Sequence, residues 1–325
     1  MDPIRGIALA ACIACSATVI HAAETPTYPS KPIRVIVPFA PGGSTDIFVR
    51  ILGQRLNEQL GQPMVIDNRG GAGGAIGAEL AARSPPNGYT IMVTTGGVIV
   101  VNPSLFSKLS YDPVADFEPI TIAAALANIL VVSPSFAASS VKELLAIARA
   151  KPGALTYASG GNGTSNHLSG ELMKYLAGVN VTHVPFKGGG PAVLATMSGE
   201  VSMLFATMPS AINQVKAGKL KALAVTSRKR AEAAPDVPTM IEAGVKDFDF
   251  VTWSGVLAPR GTPKVYIDKL NSEIAKAVKA PQVAARLRSE GYEPVANSPA
   301  EMAAVIKSES AMWARVIKEA GIRAD

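Results

Sequence analysis

Val35–Asp46, VIVPFAPGGSTD, is the stretch from which the fold can be read. An apolar run with the pattern of a buried strand breaks at Pro41-Gly42-Gly43 and passes into Ser44-Thr45-Asp46, residue types that favour the start of a helix. Glycines carry no Cβ and can turn successive backbone N–H groups inward, where the positive end of the helix dipole joins them. The turn therefore suits an anion. An ordinary strand-to-helix connection has the same local pattern, so the weight of the reading comes from three further glycine loops: Asn68–Gly74, Ser159–Ser165 and Phe186–Pro191.

Outward from this turn, Ile33–Phe39 reads as the first strand, and Ile47, Ile51, Leu52, Leu56 and Leu60 recur at helical spacing until Gly61. Met64–Ile66 and Tyr89–Thr95 read as strands around a helix over 75–82. Strand and helix in alternation predict doubly wound sheets with ligands at the carboxyl ends of their strands. Ile120–Val132 and Phe248–Ala258 are extended and apolar, long enough to leave one lobe and return to it, and a second strand-helix series lies between them. From Pro263 onward the chain reads as helical. The predicted fold is α/β with two lobes, each a mainly parallel sheet flanked by helices, joined by two hinge crossings. Residues 24–123 and 252–325 are assigned to lobe 1 and residues 124–251 to lobe 2.

The chain has 325 residues, enough for two domains, with 48% hydrophobic and 17% charged residues, the composition of a folded globular protein. Its net charge is +6, but lysine and arginine are scattered without a dense block, which argues against a nucleic-acid partner and for general attraction of anionic solutes. Arg5, the apolar run Gly6–Ile20 and the small residues Ala22-Ala23 read as a signal peptide over residues 1–23 that directs the chain to the periplasm. Leu9-Ala10-Ala11-Cys12 offers the lesser alternative of a lipoprotein anchored at Cys12, although only half a normal signal core precedes it. Both cysteines, Cys12 and Cys15, fall in this leader, so cleavage after Ala22 or Ala23 removes disulfides, thiol catalysis and thiolate metal sites together.

The loops depart from the known nucleotide-binding and hydrolase patterns. A dinucleotide fingerprint placed on Gly71 and Gly73 needs a third glycine where Ile76 stands, and Thr94-Thr95 occupies the place of the ribose-binding acid. Lys187 precedes its glycines, so the fourth loop is not a Walker loop, and no G-x-S-x-G elbow occurs. His167 and Glu171 are four apart on a predicted helix, which suits a metal pair or a base with its orienter; a helix-face hydrogen bond is the simpler reading. Trp253 lies on a crossing and is a candidate cleft wall, while Trp313 reads as packing. What remains is a cleft of backbone donors with no catalytic residue, metal or cofactor assigned.

VPFAPGGSTD with Arg50, NRGGAGGAIGAE, PNGYT, YDPVADFEPIT, YASGGNGTSNHLSGEL, VPFKGGGPAV, AGKLKALAVTS, PDVPT and WSGVLAPRGTP together resemble the tripartite tricarboxylate transporter substrate-binding proteins, the Bug family, over Tyr28 to Gly321. The resemblance implies a periplasmic binding protein fold, type II like, that closes on a small organic carboxylate and delivers it to a two-subunit membrane permease. It implies binding by Ala40, Gly42, Gly43, Ser44 and Asp46 in the first loop and Gly71, Ala72 and Gly73 in the second. From the other lobe it implies Ser159, Gly163, Thr164, His167, Ala206 and Thr207. Thr94 and Thr95, at the carboxyl end of the third strand, complete the set. Where the family commonly has Asp-Asn this chain has Ala206-Thr207, and Ser254 stands where an aromatic residue often follows the tryptophan. The protein is expected to act as a monomer. A secreted hydrolase using His167 with Ser165, and a module presenting ligand to a membrane-bound regulator, are the alternative readings.

The mature protein is expected to begin near Glu24 and to contain no cysteine. Intact-mass measurement of periplasmic material checks this, and a diacylglyceryl adduct on Cys12 would replace it with the lipoprotein reading.

Overall fold

The computed structural model describes residues 28–320 and residue 322. The leader read over residues 1–23, with Cys12 and Cys15, lies outside the described residues. β1 (Ile33–Val37), α1 (Ser44–Leu60), β2 (Met64–Asn68), α2 (Ala75–Ala82) and β3 (Thr90–Thr95) follow the predicted alternation, and β1 pairs in parallel with both β2 and β3. α1 buries Phe48, Val49, Leu52, Leu56 and Leu60 on one stripe, and Gly61 ends it at φ 66° by donating its N–H to the Asn57 carbonyl. Ile47 and Ile51, expected on that stripe, are only half-buried at its edge.

Beyond β3 the chain departs from the expected pattern. Gly97–Val101 forms a turn of π-helix leading into α3 (Asn102–Leu105), although Val98-Ile99-Val100-Val101 is a β-branched run. Tertiary packing overrides propensity here. All five residues are buried, and Gly97 lies so near Gly163 that a Cβ would meet its carbonyl oxygen at 2.4 Å.

The architecture turns on β4 (Phe117–Val132). After it come α4 (Val141–Ala150), β5 (Thr156–Ser159), α5 (Ser165–Ala177), β6 (Thr182–Pro185), α6 (Gly189–Ser198), β7 (Met203–Thr207), α7 (Met208–Lys216) and β8 (Lys221–Val225). The chain returns through β9 (Val251–Pro259) to α8 (Lys264–Lys279), α9 (Pro281–Ser289), β10 (Tyr292–Pro294) and α10 (Pro299–Ala320). Phe117–Ala127 of β4 pair antiparallel with β9, whereas Asn128–Val132 pair antiparallel with β7 and β8. Among the described residues the strands run in the order β2-β1-β3-β9-β4-β7-β5-β6, with β8 and β10 as further partners of β4. Each lobe thus has a parallel trio, β2-β1-β3 and β6-β5-β7, and the antiparallel pairs arise where the chain passes out along β4 and back along β9.

Ile129, Leu130, Val131 and Val132 are all fully buried because both faces of β4 are covered. Leu130 and Val132 join the larger core, while Ile129 and Val131 join a second one with Leu204, Ala206, Ile212 and Val225. No helix among the described residues is long and apolar enough to cross a membrane.

Where β4 changes partners, Thr226 ties the two crossings together. Its N–H donates to the Asn128 carbonyl at 2.9 Å, and its hydroxyl accepts from Asn128 N–H at 2.8 Å and donates to the Phe250 carbonyl at 2.7 Å. Phe250 N–H donates back to the Thr226 carbonyl at 2.9 Å. Thr226→Val keeps the shape but leaves buried backbone groups without that hydroxyl, so a loss of about 1–3 kcal/mol is expected. Denaturant titration of the variant checks this; an unchanged midpoint would show that the crossings do not depend on the hydroxyl.

Candidate ligand-binding site

Four helices begin at one small cavity. Gly43 is the N-cap of α1, with φ −80° and ψ 166°, so Ser44, Thr45 and Asp46 form the first turn and are not themselves the cap. Thr164 caps α5, Gly188 caps α6 and Thr207 caps α7, and none of the four residues has a side chain that accepts from a backbone N–H of its helix. Phe39, Gly43, Ser44, Thr45, Thr95, Gly160, Thr164, Ser165, Asn166, Gly189 and Thr207 enclose a cavity of about 20 Å³. No charged side chain among the described residues lines it. Each helix N-terminus carries roughly half a positive charge, so four give a nominal sum of about two before screening. The volume matches about one water molecule. A wider groove between α1 and α9, about 860 Å³, is an open surface feature with no such convergence of helix ends.

The walls of the cavity meet backbone to backbone. A Cβ on Gly190 would stand 2.4 Å from the Pro41 carbonyl oxygen, and one on Gly73, at φ 59°, would stand 2.2 Å from the Asn162 carbonyl oxygen. Ala40 N–H donates to the Lys187 carbonyl at 3.2 Å. The first glycine loop therefore packs on the fourth and the second on the third. Asn102 supports the latter pair from below, donating to the Gly73 carbonyl at 3.2 Å.

Gly43, Ser44, Thr95, Thr164 and Thr207 of the expected set line the cavity. Ala40, Gly71, Ala72 and Gly73 stand in the loop-to-loop contacts or beside them and do not line it. Gly42, at φ 81°, donates its N–H at 3.0 Å to Asp46, which also accepts from Arg50 at 3.0 Å. Burial alone would raise the Asp46 carboxyl, but the Arg50 and Gly42 hydrogen bonds outweigh it and hold the group below its ordinary range. Thr94 and Ala206 are buried beside the site, Ala206 in the second core. Ser159 and Gly163 belong to the third loop and His167 to α5 after it, and none of the three lines the cavity. Phe39 and Gly189 lie outside the implied binding segments, whereas Thr45, Gly160, Ser165 and Asn166 fall within them, at 40–46 and 159–167, without having been named individually for binding. Thr45, Ser165, Asn166 and Gly189 share a signal: each lies within three residues after a helix cap, where free N–H groups are found.

The cations flanking the loops are engaged elsewhere or exposed. Arg69 pairs with Asp67 at 2.7 Å and Arg50 with Asp46, and the Lys187 side chain faces solvent. Glu171, read as a helix-face partner of His167, instead accepts from the Tyr157 hydroxyl at 2.6 Å and pairs with Lys174 at 2.8 Å. His167 Nδ1 accepts from Gly163 N–H at 3.2 Å, and its ring packs on His183 at 4.4 Å. Burial holds both imidazoles neutral, His167 lowered to about 4 and His183 to about 3. Ser165 Oγ bonds to Asn128 Oδ1 at 3.3 Å and makes no bond to His167. Trp253 covers Gly96 and Gly255 and donates its ring N–H to Glu309 at 2.8 Å, so it braces the crossing and does not wall the cavity. Trp313 packs edge-on against Phe250, as expected. Among the described residues no group of three His, Cys, Asp or Glu gathers for a metal ion.

Residues 48–322 match the tripartite tricarboxylate transporter family receptor. BugT of Bordetella pertussis is 34% identical over 324 residues, which span 99% of this chain and 99% of BugT. An R. palustris protein solved with adipate has 37% identity and a TM-score of 0.89, covering 91% of this chain and 99% of its own. MatC from Rhodopseudomonas palustris with bound malate has 33% identity and a TM-score of 0.85, covering 89% and 100%. The chain belongs to the tripartite tricarboxylate transporter receptor family, the group of periplasmic solute-binding proteins that includes BugT and BugD.

Proposed function

We propose that this receptor captures a small organic carboxylate between its lobes, residues 24–123 with 252–325 and residues 124–251, and hands it to a two-subunit membrane permease. The observation that carries the proposal is the convergence of four helix N-termini, without side-chain caps, on a cavity with no charged wall. Backbone N–H groups at helix starts are preorganised donors for carboxylate oxygens. One helix comes from the first lobe and three from the second, so an anion engages all four only when the lobes are together. Ligand then favours closure, because the full donor set exists in that state alone. The adipate and malate in the R. palustris relatives support a carboxylate as the solute. The chain works as a monomer in the periplasm, delivered by the signal peptide read over residues 1–23.

The hydrolase reading has one arrangement in its favour: Ser159 Oγ lies 2.6 Å from His183 Nε2. Ser159 is fully buried, however, and its oxygen accepts from Gly161 N–H at 3.0 Å, so this hydroxyl links a loop to a strand. His167→Ala is accordingly expected to have no hydrolytic activity to lose.

Two outcomes test this reading. Ser44→Ala should weaken carboxylate binding only several-fold, in line with one hydrogen bond of about 0.5–1.5 kcal/mol, because the main-chain donors remain. Gly43→Val fills the cavity without backbone strain, and Gly190→Ala sets a Cβ against Pro41 and blocks closure, so both should fold and lose most binding. Calorimetry with malate and adipate measures this; normal binding by both glycine variants, with an indispensable Arg50, Arg69 or Lys187, would establish a cationic clamp instead. The second outcome concerns pH. The unfolded chain protonates its histidines near 6.5 while the folded chain keeps His167 neutral to about 4 and His183 to about 3, so stability falls as pH drops below 6.5. The loss should be on the order of 2 kcal/mol per histidine between pH 7 and pH 5, read from denaturant midpoints, with no imidazole titration in the NMR spectrum of the folded protein over that range.

A further inference from the structure

We propose that the cavity selects a short carboxylate bearing a hydroxyl group over its unhydroxylated counterpart, and that Thr45 and Thr95 recognise that hydroxyl. The inference rests on the carboxylate reading above and deepens it. Among the described residues Phe39 is the only large apolar side chain on the wall; the rest is hydroxyl, amide and glycine backbone, a poor surface for a methylene chain. Several of the lining hydroxyls are already committed within the protein. Thr164 Oγ1 donates to the Gly161 carbonyl at 2.6 Å, Thr207 Oγ1 bonds with Ser210 Oγ at 2.8 Å, and Ser165 Oγ bonds with Asn128.

Thr45 Oγ1 and Thr95 Oγ1 differ from these in being buried without a partner. Both line the cavity, both belong to residues less than a tenth exposed, and neither has a hydrogen-bond partner. A helical threonine ordinarily returns its hydroxyl to the carbonyl four residues earlier, as Thr196 does to Ala192 at 2.9 Å. Thr45 stands in the first turn of α1, and the corresponding carbonyl, of Pro41, lies outside the helix against Gly190. Thr95 ends β3 opposite Ser254 of β9, so the two side chains share a face of the sheet; Ser254 Oγ is also buried and unpartnered. Two lining residues on separate elements, Thr45 and Thr95, thus carry unpaired hydroxyls, with Ser254 behind Thr95 and outside the lining.

Each unpaired hydroxyl has a donor and acceptor sites to satisfy. A carboxylate oxygen satisfies the donor alone, and a methylene satisfies neither. A ligand hydroxyl both donates and accepts, so it completes a Thr–ligand–Thr bridge. A site built around such a group rejects the analogue lacking it, because its own buried polar atoms are then left unpaired.

The test is calorimetry on the mature protein with pairs differing by one hydroxyl: malate and succinate, lactate and propionate, 2-hydroxyglutarate and glutarate. The hydroxylated member of at least one pair should bind about tenfold tighter or more, the size expected from a buried polar group left unpaired. Thr45→Val and Thr95→Val preserve shape, and each should reduce the ratio to about threefold or less, chiefly by weakening the hydroxylated ligand. Thr95→Ser, which restores the hydroxyl, should keep the preference and guards against a folding artefact. Equal binding within every pair, or a ratio that survives both valine variants, overturns hydroxyl selection while leaving the carboxylate reading intact. Failure of all three pairs overturns it too, and in that case a wider thermal-shift screen of carboxylates decides whether the carboxylate reading stands.

Discussion

The closest constraint on this protein is that backbone must reach backbone across the cleft. At Gly73, Gly97 and Gly190 a single added carbon would stand within 2.4 Å of a carbonyl oxygen on the facing loop. Side chains cannot mediate such a contact. The glycine loops thus serve two purposes: they turn the chain, and they let two lobes meet so closely that their helix ends share one volume. Were the loops built from larger residues, the helix dipoles would stand too far apart to act on the same solute.

A cavity wall without charged side chains has an energetic logic. A guanidinium or ammonium in so small a cavity would have to be desolvated whenever the lobes close, and an uncompensated buried charge is costly. Partial charges on helix ends are already part of the folded scaffold and need no rearrangement. The cations nearest the loops are bound to their own carboxylates, Arg50 to Asp46 and Arg69 to Asp67, where they fix loop shape. Tyr292 contributes from the far side by donating its hydroxyl to the Ser44 carbonyl, which holds the start of α1 in place.

Much of this was legible in the sequence. The four glycine loops, the two crossings and most helices emerged from spacing and composition, because apolar periodicity and glycine placement are local signals. Three features were not. The π-turn at Gly97–Val101 defies its β-branched residues, since its conformation is set by contact with the third loop. β10 is only three residues long and exists because β4 offers it an edge. Within the site, the sequence pointed to the loops but not to which loop faces which: the second loop packs on the third and stands outside the cavity wall, while Gly189 of the fourth lines it. Pairing between distant loops leaves no periodic trace, and His167 with Glu171 illustrates the opposite error, a regular spacing whose partners turn elsewhere.

The path of β4 also bears on how the chain assembles. The first lobe's sheet has β9 between β3 and β4, and β9 follows β3 by more than a hundred and fifty residues. As the chain emerges from its N-terminus, β1 to β3 can pair early, but their sheet keeps an open edge until the whole intervening lobe has been made. The second lobe, whose strands all lie between the start of β4 and the end of β8, is free to fold first. Late closure of so distant a pairing is slow and leaves a strand edge exposed meanwhile, so the hazard of aggregation during biogenesis falls on the lobe that was synthesised first.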